Sequence, residues 1–372
     1  MRYFIFTDNL RVILSFSLAL FISSVLIPSI IDIARAKSYV DIPSARASHR
    51  NSTPTLGGIA IFIGSVIAFL MFANVGVITS LQYIIASILI IFFIGFKDDL
   101  TGISPYKKFW GQVIAALIVI EFGTLILTNL HGLFNIYVIT YNFGLVLSLL
   151  TIIGVTNCFN LADGIDGLAA SLSILACSAF GTWFYLTGQV EWAILAAGIV
   201  GATLGFLYFN LFSQKNKIFM GDTGSLFLGF IISILAIKFN ECSIGISGSY
   251  SVRAAPAVSI GILIIPIFDT LRVFATRIIK NRPPFSPDKT HIHHYLLEVG
   301  FSHRMATLIL TLTGIFFIGI SFLLKNLSVA WLLLILAGIA SLLSYVTILF
   351  AIRHRRFKNN AEGEGGRFPG SE

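Results

Sequence analysis

Charged residues are scarce in this sequence. Asp, Glu, Lys and Arg make up 11% of its 372 residues, whereas they make up about 25% of an average soluble domain. Apolar residues account for 56% of the chain, and a globular protein of this length would need many more charged side chains to cover them. The composition therefore excludes an ordinary water-soluble protein.

Cysteine is also rare. The three cysteines, Cys158, Cys177 and Cys242, lie far apart, so the sequence indicates neither a disulfide framework nor a cysteine-based zinc site. We interpret all three as structural residues.

Long hydrophobic runs, by contrast, are abundant. A helix needs about 20 mostly apolar residues to cross the hydrocarbon core, and the chain offers eleven such stretches. We therefore predict an all-α polytopic membrane protein, with one integral-membrane domain over residues 1–358 and a disordered polar tail over 359–372. The predicted spans are 11–31, 56–74, 77–96, 109–128, 143–159, 167–187, 192–212, 224–240, 254–275, 306–324 and 328–351.

The positive charges fall mainly on one side of these spans. The net charge is +8, and nineteen of the 25 Lys and Arg residues lie in alternate connecting segments and the C-terminal tail. Because cytoplasmic segments carry an excess of Lys and Arg, we predict an outside N-terminus and a cytoplasmic C-terminus. This explains the basic charge without nucleic-acid binding. Most acidic residues also lie at or near the predicted cytoplasmic ends of the spans, so we expect any chemistry on the cytoplasmic face.

Two adjacent carboxylates, Asp98 and Asp99, follow the third predicted span. Neighbouring carboxylates repel each other unless a cation, a basic side chain or a shared proton compensates. The pair therefore suggests a metal ligand or a proton acceptor, and a solvated loop is the alternative.

The segment NCFNLADGIDGLA carries four oxygen-bearing side chains at the end of an apolar run. Asn157 and Asn160 are followed by Asp163 and Asp166 among glycines. Oxygen ligands suit Mg²⁺ or another hard cation and the phosphates that it bridges. An EF-hand is excluded because no twelve-residue loop ending in Glu is present.

Two glycine-containing segments suggest anion sites at helix starts. The first loop, DIPSARASHRNSTPTLGG, combines Arg50 and other cations with backbone N–H groups at Gly57 and Gly58 that we expect to be free. The alternative is an ordinary positively charged cytoplasmic loop that ends in a helix cap. In KIFMGDTGSLFLG, the N–H and O–H groups around Asp222 can also face an anion. Phe219 either stacks on a base or is an interfacial aromatic.

The most basic loop contains a histidine cluster. His291, His293 and His294 fall within four residues, but a tetrahedral zinc site would need Cys or a fourth convergent ligand. We therefore favour phosphate or sugar recognition, or acid–base chemistry.

Taken in order, the Asp pair, the NxxNxxDGxDG segment, GDTGS and HIHH resemble the polyprenyl-phosphate N-acetylhexosamine-1-phosphate transferase family over nearly the whole chain. The resemblance implies a multi-pass enzyme of the bacterial inner membrane that takes a UDP-N-acetylhexosamine from the cytoplasm and undecaprenyl phosphate from the membrane lipids. The products would be a polyprenyl diphosphate sugar and UMP. Mg²⁺ would be the cofactor, with Mn²⁺ as the alternative cation, and the resemblance leaves a homodimer open.

Two branches of this family are candidates. HIHH and eleven spans look like the initiating GlcNAc-1-phosphate transferases of O-antigen, common-antigen and teichoic-acid synthesis, which we favour. Phospho-MurNAc-pentapeptide translocase typically has ten spans and a Glu soon after its histidines. The DDLTG segment lacks the third Asp of a DDxxD pattern, which leaves the sugar and the downstream polymer open.

The same resemblance implies residue roles. Asn160 and Asp222 would be the Mg²⁺ ligands. Asp98 and Asp99 would orient or deprotonate the lipid phosphate, and Lys108 would hold it. The expected substrate-binding residues are Arg50, Thr55, Asn157, Asp163, Asp166 and Phe219, and the histidines expected to contact sugar or diphosphate are His291, His293 and His294. We favour direct in-line attack, with a covalent aspartyl intermediate as the alternative.

A secondary transporter is a further alternative. Its charges would lie mid-span, often in two related halves, but this sequence has no internal repeat of the motifs and offers only Asp269 near Arg272 within a span. A non-catalytic membrane scaffold is the other alternative, which loss of turnover on replacing Asn160 or Asp222 would exclude.

Overall fold

The computed structural model describes residues 6–37, 40–41, 53–74, 76, 80–281 and 290–364. These residues form thirteen α-helices and two short antiparallel strand pairs. The helices are α1 (Asp8–Ala36), α2 (Gly57–Phe72), α3 (Leu81–Thr101), α4 (Pro105–Leu117), α5 (Tyr141–Ala162), α6 (Leu168–Leu186), α7 (Val190–Leu207), α8 (Gly221–Ser243), α9 (Ala255–Ile262), α10 (Ile264–Ile279), α11 (Ile292–Glu298), α12 (His303–Leu323) and α13 (Val329–Glu364). The strands are β1 (Val40–Asp41), β2 (Thr53–Pro54), β3 (Asn129–Leu133) and β4 (Ile136–Val138).

Two helices continue into a π-helical turn. Ile118–Phe122 extends α4, and Tyr208–Phe212 extends α7. With these turns, both helices cover most of the hydrophobic runs predicted at 109–128 and 192–212.

Seven of the helices in the described ranges are long and apolar enough to cross a membrane. They are α1, α5, α6, α7 with its π-helical turn, α8, α12 and α13. This confirms a mainly α-helical, multi-pass membrane protein. Each predicted span coincides with a helix or a pair of helices, whereas the count of eleven and the orientation of the termini stay predictions.

The ninth predicted span is broken. Helices α9 and α10 together are long and apolar enough to cross a membrane, but their axes are bent by 84° at the break between them. Pro266 lies in the first turn of α10, where its missing N–H leaves no helical hydrogen bond unmade. Proline therefore explains why a new helix starts here, and the break brings α10 towards the histidine segment.

The last helix runs past the predicted domain boundary. Helix α13 continues through Glu364 and so includes residues 359–364, which we expected in a disordered tail, while the domain boundary itself stays a prediction. Ala and Glu in this stretch are good helix formers and favour continuation of the helix. The remaining part of the predicted tail, residues 365–372, lies outside the described residues.

Helix α8 forms the centre of the protein. Nearly all of its apolar side chains are buried, and it packs against α2, α3, α5, α6 and α9. A helix that is apolar on all sides is stable when other helices surround it. Its N-terminus, which carries the GDTGS motif, is therefore fixed by several neighbouring elements.

Candidate active site

Backbone pairing brings the first loop against the segment that precedes α8. The N–H of Phe219 donates to the carbonyl of Pro54 (2.8 Å), and the N–H groups of Gly57 and Gly58 donate to the carbonyls of Phe219 and Met220 (2.9 Å each). The expectation that Gly57 and Gly58 offer free N–H groups to an anion is therefore wrong. Their N–H groups instead dock α2 on the GDTGS segment.

Asp99 occupies the N-terminus of α8. Its carboxylate accepts hydrogen bonds from the backbone N–H of Asp222 (2.7 Å) and from the N–H (2.9 Å) and hydroxyl of Thr223. Burial raises the pKa of Asp99 to about 6, although these hydrogen bonds favour the ionised form. We expected the N–H groups of GDTGS to face a substrate anion. For the N–H groups of Asp222 and Thr223 this expectation is wrong, because both donate to the carboxylate of Asp99.

Glycines allow the helices to meet at this point. A Cβ on Gly95 of α3 would lie 2.6 Å from the Asp222 carbonyl oxygen, and a Cβ on Gly58 of α2 would lie 2.1 Å from the Gly224 nitrogen. Gly221 has a φ of +73°, which glycine adopts readily, and a Cβ there would lie 2.2 Å from the Thr55 carbonyl oxygen. Larger residues would push α2 and α3 away from α8.

One lysine joins the paired carboxylates to Asp222. The Nζ of Lys108, in the first turns of α4, lies 3.0 Å from Asp98 Oδ2 and 2.6 Å from Asp222 Oδ1. Burial disfavours the charged lysine, but the two carboxylates raise the pKa of Lys108. Asp98 also accepts the N–H of Ile103 (2.8 Å), and although burial opposes the effect, this bond and Lys108 lower the pKa of Asp98. The structure therefore places charged groups of both signs at one point.

Asn160 contacts the same carboxylate. Its amide nitrogen donates to Asp222 Oδ1 and to Ser225 Oγ (2.9 Å). The two residues that the sequence suggested as metal ligands are thus neighbours, although α5 and α8 bring them from distant parts of the chain.

Asp163 lies close to Asp222, but its carboxylate, unlike that of Asp222, lacks a partner in the described residues. Burial, followed by the charges of Asp222, Asp99 and Asp166, raises the pKa of Asp163 well above its ordinary value. In the described part of the chain we find no hydrogen bond or ion pair to its carboxylate. Asp163 is therefore a carboxylate in a negative environment that a cation would stabilise.

Asp166 fastens the DGIDG turn to α12 and to Lys217. Its Oδ2 lies 2.6 Å from Lys217 Nζ and 3.1 Å from His303 Nδ1, and its backbone carbonyl accepts the hydroxyl of Thr307 (2.7 Å). Burial opposes ionisation, but His303 and Lys217 lower the pKa of Asp166. Asp166 therefore holds the DGIDG turn against α12 and against the segment that precedes α8.

A buried ion-pair network holds the start of the histidine segment. The carboxylate of Asp269 lies 2.9 Å from His291 Nδ1 and 2.7 Å from an Arg272 nitrogen, and it accepts the N–H of Ile292 (3.1 Å). The Asp269–Arg272 pair, which the sequence offered for transport, instead anchors α11.

His293 packs directly against the DGIDG turn. Its side chain is almost completely buried, and a Cβ on Gly164 would lie 2.5 Å from its Nε2. This Nε2 has no hydrogen-bond partner in the described residues. Burial, with a smaller contribution from His294, lowers the pKa of His293 to about 3, so the ring is neutral. The structure thus brings HIHH and DGIDG together.

Two other expected site residues contact neighbouring side chains. Asn157 forms a reciprocal amide pair with Gln112 of α4 (2.7 and 3.4 Å), and Phe219 carries Lys217 Nζ 5.3 Å from its ring centroid. Arg50 lies outside the described residues.

Sequence reasoning missed the partners that hold the site. They are Gln112, Lys217 and His303, whereas Asp269 and Arg272 were noted only as a possible transport pair. Two signals were available: a lysine shortly before GDTGS, and an acid and a base three residues apart inside an apolar span.

Comparison with known proteins gives consistent matches. A model of glycosyl transferase family 4 matches residues 81–240, which include the Asp pair, DGIDG and GDTGS. The chain is 36% identical over 313 residues, 83% of each chain, to the probable undecaprenyl-phosphate N-acetylglucosaminyl 1-phosphate transferase of Bacillus subtilis (strain 168). It is 30% identical over 330 residues, 87% of this chain and 88% of the relative, to the undecaprenyl-phosphate alpha-N-acetylglucosaminyl 1-phosphate transferase of Escherichia coli O157:H7.

Proposed function

The chain belongs to glycosyl transferase family 4, and on this basis we propose that it transfers N-acetylglucosamine 1-phosphate from UDP-N-acetylglucosamine to undecaprenyl phosphate. An oxygen of the lipid phosphate attacks the β-phosphorus of the nucleotide sugar. The bond between this phosphorus and the bridging oxygen breaks, and UMP leaves with that oxygen. The other product is undecaprenyl-diphospho-N-acetylglucosamine.

The arrangement around Lys108 is the observation that carries this proposal. Groups from α3, α4, α5 and α8 meet there: Asp98, Lys108, Asn160 and Asp222. An ammonium group has three N–H donors, and the two carboxylates use two of them. Lys108 therefore keeps one donor for a substrate phosphate, while Asp98 and Asp222 fix the position of its charge.

Donor chemistry around Asp222 supports Mg²⁺ as the cofactor. No three His, Cys, Asp or Glu side chains within the described ranges form a protein metal cage, but Mg²⁺ usually takes one or two carboxylates together with substrate phosphates. Asp222, the Asn160 amide and the unpaired Asp163 carboxylate fit that requirement, and Mn²⁺ is the alternative cation. When bound, the cation would supply neutralisation of the charge that develops on the phosphates.

Asp99 has a different role from its neighbour in this proposal. Both of its oxygens accept hydrogen bonds from the first residues of α8, so Asp99 positions Asp222 and does not itself contact the lipid phosphate. Asp98 orients Lys108. A phosphate monoester at neutral pH is already nucleophilic, so no strong general base is required.

The remaining site residues surround the donor in this proposal. Asp163 and the neutral His293 lie on the DGIDG side of Asp222 and contact the sugar diphosphate, together with His294. The predicted orientation puts this site on the cytoplasmic face of the bacterial plasma membrane, where the nucleotide sugar is available, and the lipid product would start a cell-envelope glycan.

A substrate comparison tests the proposal. The purified protein is incubated with undecaprenyl phosphate, Mg²⁺ and, separately, UDP-GlcNAc, UDP-GalNAc or UDP-MurNAc-pentapeptide, and UMP and the lipid product are followed by mass spectrometry. We expect UMP and a GlcNAc-diphospholipid with the first donor. Turnover with only the pentapeptide donor would move the protein to the peptidoglycan branch, and no turnover by folded protein with any donor would contradict the proposal.

A further inference from the structure

A groove lies between α6 and α12, far from the carboxylates. Helix α6 begins next to Asp166, and α12 begins at His303, which contacts it, whereas the groove is lined by later residues of both helices. Its volume is about 460 Å³, within the range of about 300–1,000 Å³ for ligand pockets. Most of its lining is apolar, and Leu186 and Ile315 are 45% and 49% exposed. The groove therefore opens on the lipid-facing surface.

The mouth of the groove is polar and positively charged. Tyr250 and Lys325 line it, and Lys325 Nζ donates to the Ser249 carbonyl (2.6 Å). Across the described residues we find no carboxylate paired with Lys325. Two of its three N–H donors remain for a ligand.

The backbone at this mouth is fixed from two sides. The indole N–H of Trp183 donates to the Tyr250 carbonyl (3.1 Å), and the N–H of Ala254 donates to the Lys325 carbonyl (3.0 Å). A preorganised site loses less conformational freedom when its ligand binds. The cation is therefore held next to the apolar groove before a ligand arrives.

We propose that this groove binds an anionic glycerophospholipid in the leaflet opposite the carboxylate site. One acyl chain lies along the apolar walls, and the phosphate accepts hydrogen bonds from Lys325 Nζ and the Tyr250 hydroxyl. A zwitterionic lipid is held less tightly because its own ammonium group lies near Lys325. This lipid is not a substrate, so the inference stands apart from the proposed transfer reaction.

Native mass spectrometry of the full-length protein tests the charge at the mouth. The detergent-solubilised protein is mixed with equimolar phosphatidylglycerol and phosphatidylcholine, and we expect wild type to retain phosphatidylglycerol about fivefold better, since one lysine near anionic lipid supplies an effect of this size. Lys325→Gln should remove the preference, and Lys325→Arg should restore it. Lys238→Gln is the matched control, because Lys238 lies over the Trp192 ring (5.5 Å) and outside the groove.

A second variant tests the groove itself. Ala179 lines the groove, and Ala179→Phe should fill it and reduce retention of both lipids while transferase turnover stays at the wild-type level. An unchanged preference in Lys325→Gln, an equal loss in Lys238→Gln, or unchanged lipid retention in Ala179→Phe would each overturn the inference. The inference would also be overturned if the wild-type protein retained undecaprenyl phosphate in preference to phosphatidylglycerol and Ala179→Phe lost the bound undecaprenyl phosphate.

Discussion

Lys108 is the cation that pairs with two carboxylates of the site. It lies between Asp98 and Asp222, and removal of one partner of a partly buried ion pair leaves an uncompensated charge. The sequence placed Lys108 near the Asp pair, but only the structure shows that it also reaches Asp222 of α8. The three side chains should therefore behave as a unit in mutagenesis.

Replacement of Asp222 by Asn should abolish most turnover. Asp222→Asn preserves the size of the side chain but removes the charge that holds Lys108 and that would bind a cation. We expect a fall in kcat of about 100- to 1,000-fold, the usual cost of losing one preorganised electrostatic group, measured as UMP release. Asp32→Asn, an exposed carboxylate on α1, serves as the control. Turnover near wild type in Asp222→Asn would remove Asp222 from the reaction centre.

His293 should make the protein sensitive to acid. Its pKa falls from an ordinary value of 6.5 to about 3 in the folded protein, so below pH 6.5 the unfolded chain takes up a proton that the folded chain does not. Stability is then lost as the pH falls, by about 1.4 kcal/mol per pH unit, or about 2 kcal/mol between pH 6.5 and pH 5.

Melting temperatures at pH 7 and pH 5 check this expectation. The difference between the two pH values should shrink in His293→Leu and remain in His354→Leu, a variant of an exposed histidine on α13. An equal acid shift in wild type and His293→Leu would show that other groups cause the sensitivity.

At the scale of elements, the position of the first residues of α8 is determined by the helices packed against them. Asp99 and Gly95 of α3 and Gly58 of α2 all contact its first residues. Helix propensity alone does not set this position, because tertiary packing provides most of the stability of a helix. The geometry of Asp222 therefore depends on residues of α2 and α3 as well as on its own helix.

A methyl group at Gly95 should disturb the site. In Gly95→Ala, the new Cβ would lie 2.6 Å from backbone atoms of Asp222 and Thr223, and overpacking of this kind costs about 1–3 kcal/mol. We expect a lower melting temperature together with reduced kcat. Gly154→Ala is the matched control, since a Cβ there meets nothing within 4 Å, and it should be neutral or stabilising. Full activity and stability in Gly95→Ala would contradict the close packing.

The helices could be predicted because their signal is local, whereas the contacts between them could not. Apolar runs of about 20 residues indicate spans directly, and oxygen-rich motifs at their ends indicated where the chemistry lies. The pairing of Gly57 and Gly58 with Phe219 and Met220 joins segments about 160 residues apart, and no local pattern records it. For the same reason, Gly57 and Gly58 looked like part of an anion site.

At the scale of the whole molecule, the charge asymmetry gives the clearest prediction. The segments rich in Lys and Arg alternate with poor ones, which orients the chain by the positive-inside rule. The break between α9 and α10 could not be read from hydropathy, because both halves are apolar. Counting spans by composition therefore treats a bent pair and a straight helix alike.

Cysteine labelling checks the orientation. In a Cys242→Ser background, Asn360→Cys should react with an impermeant thiol reagent only after cells are opened, since the predicted C-terminus is cytoplasmic. Ser247→Cys, an exposed position after α8, should react in intact cells, while Cys158 and Cys177 are buried. The reverse pattern would invert the predicted topology.

Helix α8 also links the two membrane faces mechanically. Its 23 residues give it a length of about 34 Å, with Asp222 at one end and, at the other, Asn240 and Glu241, whose oxygens pair with His131 and Thr128. A tilt of about 2° about one end moves the other by about 1 Å, and a displacement of this size at a reaction centre costs about 100-fold in rate. The contacts at the C-terminal end of α8 therefore determine how precisely Asp222 is positioned at its N-terminal end.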